Sequence, residues 1–126
     1  MPQNSPQQLR EILETVHTIA LVGASDKPHR PSHEVMAYLQ GRGYRVIPVN
    51  PRLAGKTLLG ETVYADLASV PGPVDMADLF LAPNHTDPVI DTAIEKGIPV
   101  IWMQIGVINE DGARRAENAG MTVVMD

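Results

Sequence analysis

Thr18-Ile19-Ala20-Leu21-Val22-Gly23-Ala24-Ser25 is the stretch on which the fold turns. Its first five residues carry no charge and include three β-branched side chains, too short a run for a buried helix. Bounded by a glycine, such a run reads as a strand buried on both faces. Gly23-Ala24-Ser25 makes the turn, a Pro-rich loop follows, and a helix is expected over about 32–42, with Val35, Met36 and Leu39 inward and Gly43 at its end. Upstream, Leu9, Ile12, Leu13 and Val16 recur at helical spacing, so residues 5–15 are expected to form a helix capped by Ser5 or Asn4 that packs on the domain.

The same alternation continues downstream. Strands are expected at 44–49, 74–81, 100–104 and 121–125. Between them fall a Gly-punctuated loop with a helical turn near 66–70, a helix from Pro83-Asn84-His85-Thr86 to Lys96, and a helix over 109–119. Apolar strands separated by helices must pair in parallel, because the crossover helices cover both faces. The expectation is one three-layer α/β domain over residues 1–126, a doubly wound Rossmann-like sheet of five parallel strands in order 3-2-1-4-5. Ligands of such sheets bind at the carboxyl ends of the strands. Gly23–Ser25, Asn50–Arg52, 81–84 and 104–107 are therefore the segments to watch.

The composition narrows the chemistry. Having no cysteine among its 126 residues, the chain has no thiol nucleophile, no Cys-ligated zinc, no iron–sulfur cluster and no CxxC redox pair. It shows no apolar run approaching ~20 residues and no signal-peptide core, so a cytoplasmic protein without membrane contact is expected. The net charge of −5 argues against nucleic acid and anionic membranes as partners. The charge is unevenly placed: six bases and two acids fall between Gly23 and Gly60, against four bases and thirteen acids elsewhere. Bases that converge in space imply an anionic ligand; scattered ones are only a solvated surface.

Strand, glycine turn and helix start together place backbone N–H groups and a positive helix end at a phosphate. A GxGxxG fingerprint aligned on Gly23 would put glycines at Ser25 and Pro28, and the acid that holds a ribose would fall near Asn50. A nicotinamide cofactor is disfavoured on both counts. Ser25, Lys27, Arg30 and Ser32 instead supply hydroxyl and cationic donors suited to a pyrophosphate, and Arg52 and Lys56 stand where a further phosphate could be met. Gly55-Lys56-Thr57 resembles the tail of a Walker A loop, but Asn50 occupies its first glycine and no helix opens after Gly60. His17, His29, His33 and His85 complete no metal-ligand pattern, and Ser25 is in no nucleophile elbow. Asp78, in the middle of an expected buried strand, must be paired or its pKa must rise. Such an acid is either tied to loop N–H groups or to an arginine, or serves as a ligand contact or general base.

The motifs Ala20-Leu21-Val22-Gly23-Ala24-Ser25 with Pro28, Arg30 and Ser32, and Val46-Ile47-Pro48-Val49-Asn50-Pro51 with Gly55-Lys56-Thr57-Leu58-Leu59-Gly60, carry a resemblance. So do Val74-Asp75 with Asp78, Trp102-Met103-Gln104 with Gly106-Val107 and Asn109-Glu110, and Ala119-Gly120 with Val123-Val124-Met125-Asp126. With these the chain resembles, over nearly its whole length, the small stand-alone CoA-binding proteins of Rossmann type. More distantly it is similar to the CoA-binding domain of the succinyl-CoA synthetase alpha subunit and of nucleotide-diphosphate-forming acyl-CoA synthetases. The resemblance implies that Gly23, Ala24, Ser25 and the following helix start hold the pyrophosphate of coenzyme A or an acyl-CoA, with Lys27, Arg30 and Ser32 around it. It also implies that Asn50, Pro51 and Arg52 border the adenosine and its 3′-phosphate, and that Leu81, Ala82, Pro83, Gln104 and Gly106 wall the adenine or the pantetheine arm.

The synthetases carry their phosphohistidine and nucleotide-grasp machinery in further domains that nothing in this sequence supplies, so catalysis of acyl-CoA formation is not expected; the small relatives commonly continue into an Arg-Cys tail, and no role borne by such a tail is read from this sequence. The expected role is non-catalytic: a CoA-binding carrier, sensor or partner protein, monomer or homodimer. The alternatives are an acyl-CoA thioesterase or transferase using Asp78 or His85, an NAD(P)-binding dehydrogenase, or a protein-interaction module.

Overall fold

The computed structural model of the protein describes residues 5–104 and 106–125. Asn4 as a cap, Ile105 within the 104–107 segment and Asp126 lie outside them. Helix α1 (Pro6–Thr15) starts at Ser5, whose hydroxyl accepts the Gln8 N–H. It leads into β1, which spans Thr18–Val22 as expected. Next come α2 (Pro31–Gly41), β2 (Arg45–Val49), a small antiparallel pair β3 (Thr57–Leu58) and β4 (Glu61–Thr62), and a 3-10 turn over Leu67–Ser69. Strand β5 (Met76–Leu79), a 3-10 turn over Pro83–His85, α3 (Thr86–Lys96), β6 (Val100–Met103), α4 (Glu110–Asn118) and β7 (Thr122–Met125) complete the chain.

Five parallel strands form the sheet, in order β2-β1-β5-β6-β7. The place outside β2 is held by Tyr64, which bridges Val49 in parallel, donates its N–H to the Pro48 carbonyl and accepts the Asn50 N–H. Counting Tyr64 as a one-residue third strand, the order reads 3-2-1-4-5, with β7 as a sixth member. The stretch 74–81, expected as the third strand, is then the fourth and lies directly beside β1. Pro48 fits this arrangement because its carbonyl, and therefore its missing N–H, faces the outer edge and takes no bond from β1.

Strict alternation along each strand builds two cores. Ile19, Leu21, Val46, Met76, Val100 and Val124 pack with Ile12 of α1 and Met36 and Leu39 of α2. Ala20, Val22, Ile47, Ala77, Ile101 and Val123 face the other way, onto Ile90 and Ala93 of α3 and Ala113 and Ala116 of α4. Three layers result, as the continuous apolar strands require. The winding reverses at β1, which has β2 on one side and β5 to β7 on the other. The crevice at the carboxyl ends of β1 and β5 is therefore the place where this sheet can admit a ligand.

Candidate functional site

Two cavities open at that end of the sheet. The larger, about 770 Å³, is bounded by Gly23, Ser25, Asp26, Lys27, Arg30, Pro31, Ser32 and Val35 from the β1–α2 connection. Asn50, Arg52 and Leu53 border it after β2, Phe80 and Leu81 after β5, and Gln104 and Val107 after β6. A smaller one, about 280 Å³, lies on the α3 side and is lined by Val22, Val49, Pro51, Ala65, Asp66, Leu67, His85 and Val89. Gly23, Asn50 and Leu81 border both, so the two share a wall.

Gly23 makes this wall possible. Its φ is +95°, and a Cβ there would lie 2.2 Å from the Phe80 carbonyl oxygen, so only glycine lets β1 turn this close to the end of β5. The Gly23 and Ala24 N–H groups both donate to the Val49 carbonyl, at 3.0 and 3.2 Å. These two amides fix the turn to β2 and are not available to a ligand. Asn50 ties the same loops together: its Nδ2 donates to the Ala24 carbonyl at 2.8 Å, and its Oδ1 accepts the Arg52 N–H at 2.8 Å. Ser25 Oγ accepts the Lys27 N–H at 3.1 Å and shapes the next bend.

Helix α2 begins at the rim of the larger cavity. Pro31 stands in its first turn, and its N-cap residue, Arg30, makes no side-chain capping bond. The positive end of the helix dipole is thus joined to Lys27, Arg30 and Arg52 in one lining, against a single acid, Asp26. Among the described residues, none of these three cations forms an ion pair. Such a surface attracts a multiply charged anion.

Gln104 forms part of the far wall. Its Nε2 donates to Asp78 Oδ1, and its backbone N–H donates to the Leu79 carbonyl at 3.3 Å. Asp78 is 2% exposed, and burial pushes its carboxyl up to about 6 against the hydrogen bond from Gln104. On the other cavity's border, Asp66 accepts the Ser69 N–H and hydroxyl at 2.8 and 2.6 Å, and these bonds hold its carboxyl below the ordinary range.

Of the residues expected from the sequence, Gly23, Ser25, Lys27, Arg30, Ser32, Asn50, Arg52, Leu81 and Gln104 meet around the larger cavity, and Pro51 borders the smaller. Ala24 is buried beneath the turn, while Lys56, Ala82, Pro83 and Gly106 border neither cavity. Asp26, Pro31, Val35, Leu53 and Phe80 line the larger cavity without being among the residues expected from the sequence, and most of the lining of the smaller one is likewise outside that set. The apolar side chains among them read from the sequence as ordinary core positions. Among the described residues, no group of three or more His, Asp or Glu side chains is placed to hold a metal ion.

Comparison with known proteins fits this geometry. The chain is 36% identical over 126 residues to the uncharacterized protein YneT of Bacillus subtilis, covering all of this chain and 92% of that one. A hypothetical protein from Pyrococcus horikoshii superposes with a TM-score of 0.90 at 37% identity, over 98% of this chain and 90% of the other. The alpha subunit of an ADP-forming acetate–CoA ligase from Pyrococcus furiosus is 28% identical over 111 residues, 82% of this chain but 24% of the subunit. A family model, the CoA binding domain, matches residues 17–126, which take in the whole sheet and every residue around the two cavities, and the chain belongs to that family.

Proposed function

We propose that the chain binds coenzyme A or an acyl-CoA without transforming it, as a carrier, sensor or partner protein. The observation that carries this reading is the set of three cations, Lys27, Arg30 and Arg52, free of ion pairs among the described residues, that line with the start of α2 a cavity within the ~300–1,000 Å³ range of ligand sites. The pyrophosphate would be met by the side chains of Ser25, Lys27, Arg30 and Ser32 and by the first turn of α2. Gly23 and Ala24 serve it indirectly, by setting the turn. The mostly apolar smaller cavity suits a purine, and Arg52, on the border of the larger one, would meet a phosphate on its ribose. The wall of Leu81, Gln104 and Val107 would follow the pantetheine arm.

The non-catalytic part of the reading is supported by how the two groups best suited to acid–base work are placed. Asp78 is buried on the α1–α2 side of the sheet, in the register between Leu21 and Trp102. His85 is exposed at the α3 side. Among the described residues, no hydrogen bond joins the two or links either to a nucleophile.

Calorimetric titration with CoA, acetyl-CoA, NAD⁺, NADP⁺ and ATP, at low and moderate salt, tests the proposal. The expected result is binding of CoA in the micromolar range, about −8 kcal/mol, weakened by salt, with none for NAD⁺. Tighter binding of NAD(P)⁺ than of CoA, or turnover of an acyl-CoA that Asp78→Asn abolishes, would overturn it.

A further inference from the structure

We propose that Asp78 is a positioning residue for Gln104, its protonation state deciding which end of the Gln104 amide the cavity wall presents and thereby coupling ligand binding to proton uptake. For the identity of the ligand this rests on the coenzyme A reading; the coupling itself stands on the geometry of the pair.

Asp78 is the one charged residue of β5, and its strand neighbours in register are Leu21 and Trp102. It is 2% exposed, and its carboxylate has one hydrogen-bond partner among the described residues, the side-chain amide of Gln104. Gln104 is half-buried just past β6 and borders the larger cavity. An amide has one donor end and one acceptor end. Ionised Asp78 accepts only, so it takes Gln104 Nε2 and leaves Oε1 as the end available to the cavity. Protonated Asp78 can donate to Oε1, which turns the amide and makes its NH₂ the available end.

Two effects then act in the same direction on an anionic, carbonyl-rich ligand. Protonation removes a buried negative charge behind the cavity wall, and it replaces an acceptor on that wall by a donor. Binding is therefore tighter below about pH 6 than above it, consistent with where burial places this carboxyl. Binding must also draw a proton onto Asp78, because linkage is reciprocal.

The other charged groups near the pair are identifiable. Strands β1 and β6 carry none. Helix α1 carries Arg10, Glu11 and Glu14, all exposed; α2 carries exposed Glu34 and half-buried His33. The cavity loop carries Asp26, Lys27, His29 and Arg30, and the segment after β2 carries Arg52, all exposed. Burial raises the Asp78 carboxyl and the Gln104 hydrogen bond acts against it.

The test uses dephospho-CoA, because it lacks the phosphate monoester that ionises near pH 6. Its affinity is measured by calorimetry between pH 5 and 7.5, in buffers of differing ionisation enthalpy, for wild type and Asp78→Asn. Wild type is expected to bind roughly three- to tenfold more tightly at pH 5 than at pH 7.5, a change of the size one hydrogen bond confers, with proton uptake near pH 6. Asp78→Asn is expected to lose most of the pH dependence and the uptake. His29 and His33 are present in both proteins, so the difference between the two excludes their contribution. Equal pH dependence and equal uptake in both would overturn the proposal. A second readout needs neither ligand nor variant: the side-chain amide resonances of Gln104 in the free wild-type protein. Their movement through a midpoint near pH 6 supports the coupling; fixed resonances across the range overturn it. Failure of both dephospho-CoA and CoA to bind wild type at any pH overturns the coenzyme A reading instead, and wherever dephospho-CoA does not bind the Gln104 resonances decide the coupling by themselves.

Discussion

Replacing Gly23 by alanine tests whether the approach of the β1 turn to β5 is as close as the structure has it. Gly43 provides an internal control: its φ is +96° against +95° at Gly23, but a Cβ at Gly43 would meet nothing within 4 Å. An L-residue held in left-handed backbone costs about 1–2 kcal/mol, offset by about 0.4–1 kcal/mol from the stiffer unfolded chain. Gly43→Ala should therefore destabilise by about 1 kcal/mol. At Gly23 the new Cβ lies 2.2 Å from the Phe80 oxygen and 2.8 Å from its carbon, both under the 3.0 Å that real Cβ atoms keep, so β1 and β5 must part by about 0.8 Å. The bonds at that point are Phe80 N–H to Val22 O at 2.8 Å and Gly23 N–H to Val49 O at 3.0 Å. Weakening both, with partial burial of unsatisfied groups, adds about 2–3 kcal/mol. Urea denaturation of the two variants should thus differ by about 2–3 kcal/mol, with the ligand affinity of Gly23→Ala lost and that of Gly43→Ala retained. A difference under about 0.5 kcal/mol, well below one hydrogen bond, would refute the argument that contact with Phe80 fixes this glycine.

Three further outcomes are expected. The Asp78 carboxyl is raised from 3.8 to about 6, so the folded state holds its proton more tightly than the unfolded chain; stability falls as pH rises from about 4 to 6 and is level above. At 1.36 kcal/mol per pH unit the fall attributable to Asp78 is on the order of 3 kcal/mol, and subtracting the urea-derived stability curve of Asp78→Asn from that of wild type should isolate it; a flat difference between pH 4 and 7 would contradict it. Asp75 Oδ2 accepts the His17 and Thr18 N–H groups at 2.9 Å each, which holds its carboxyl low, so its contribution is present above the ordinary carboxylate range and lost as pH falls through the depressed value. Asp75→Ala should cost about 2 kcal/mol at pH 7 by urea denaturation, and no loss would remove Asp75 as the anchor of β1. Arg30→Ala should weaken CoA by about 1–3 kcal/mol in calorimetry while leaving the urea midpoint within error, and unchanged affinity would take Arg30 out of the site.

What was legible in the sequence follows the length of the physical signal. Strand β1 is found at Thr18–Val22 because a β-branched threonine, four apolar residues and a glycine leave no other reading. The helices hold within a residue or two, since their apolar spacing and their terminal Gly97 and Gly120 mark both the buried face and the end. The pair β3–β4 was not legible. Two-residue strands have no period, and their turn places Leu59 at φ +49°, a conformation that the residue type does not announce. The stretch 74–81 shortened to Met76–Leu79, since Asp75 turns its carboxylate to the start of β1 and Phe80 lies under Gly23. Asp78 was legible as a buried acid in need of a partner. That the partner is Gln104 depends on register: Asp78 lies beside Trp102, so the residue two further on reaches back over the strand end.

The basic segment illustrates why the fold, and not the charge count, locates the ligand. Of its six bases, Lys27, Arg30 and Arg52 follow β1 and β2 and reach the larger cavity. Arg45 opens β2 at the amino end of the sheet, where it pairs with Glu61 at 3.7 Å. At about 3.3 Å per residue, the length of β2 alone sets it more than about 12 Å from the carboxyl end. Arg42 closes α2 at the end away from its cavity-facing start, and Lys56 stands before β3, outside both cavities. Half of the segment's positive charge is therefore surface, and half converges where parallel strands end and a helix begins. The two halves are indistinguishable by composition. They separate only when each base is assigned to one end of a strand or the other, which the alternation of apolar strands and helices already permits.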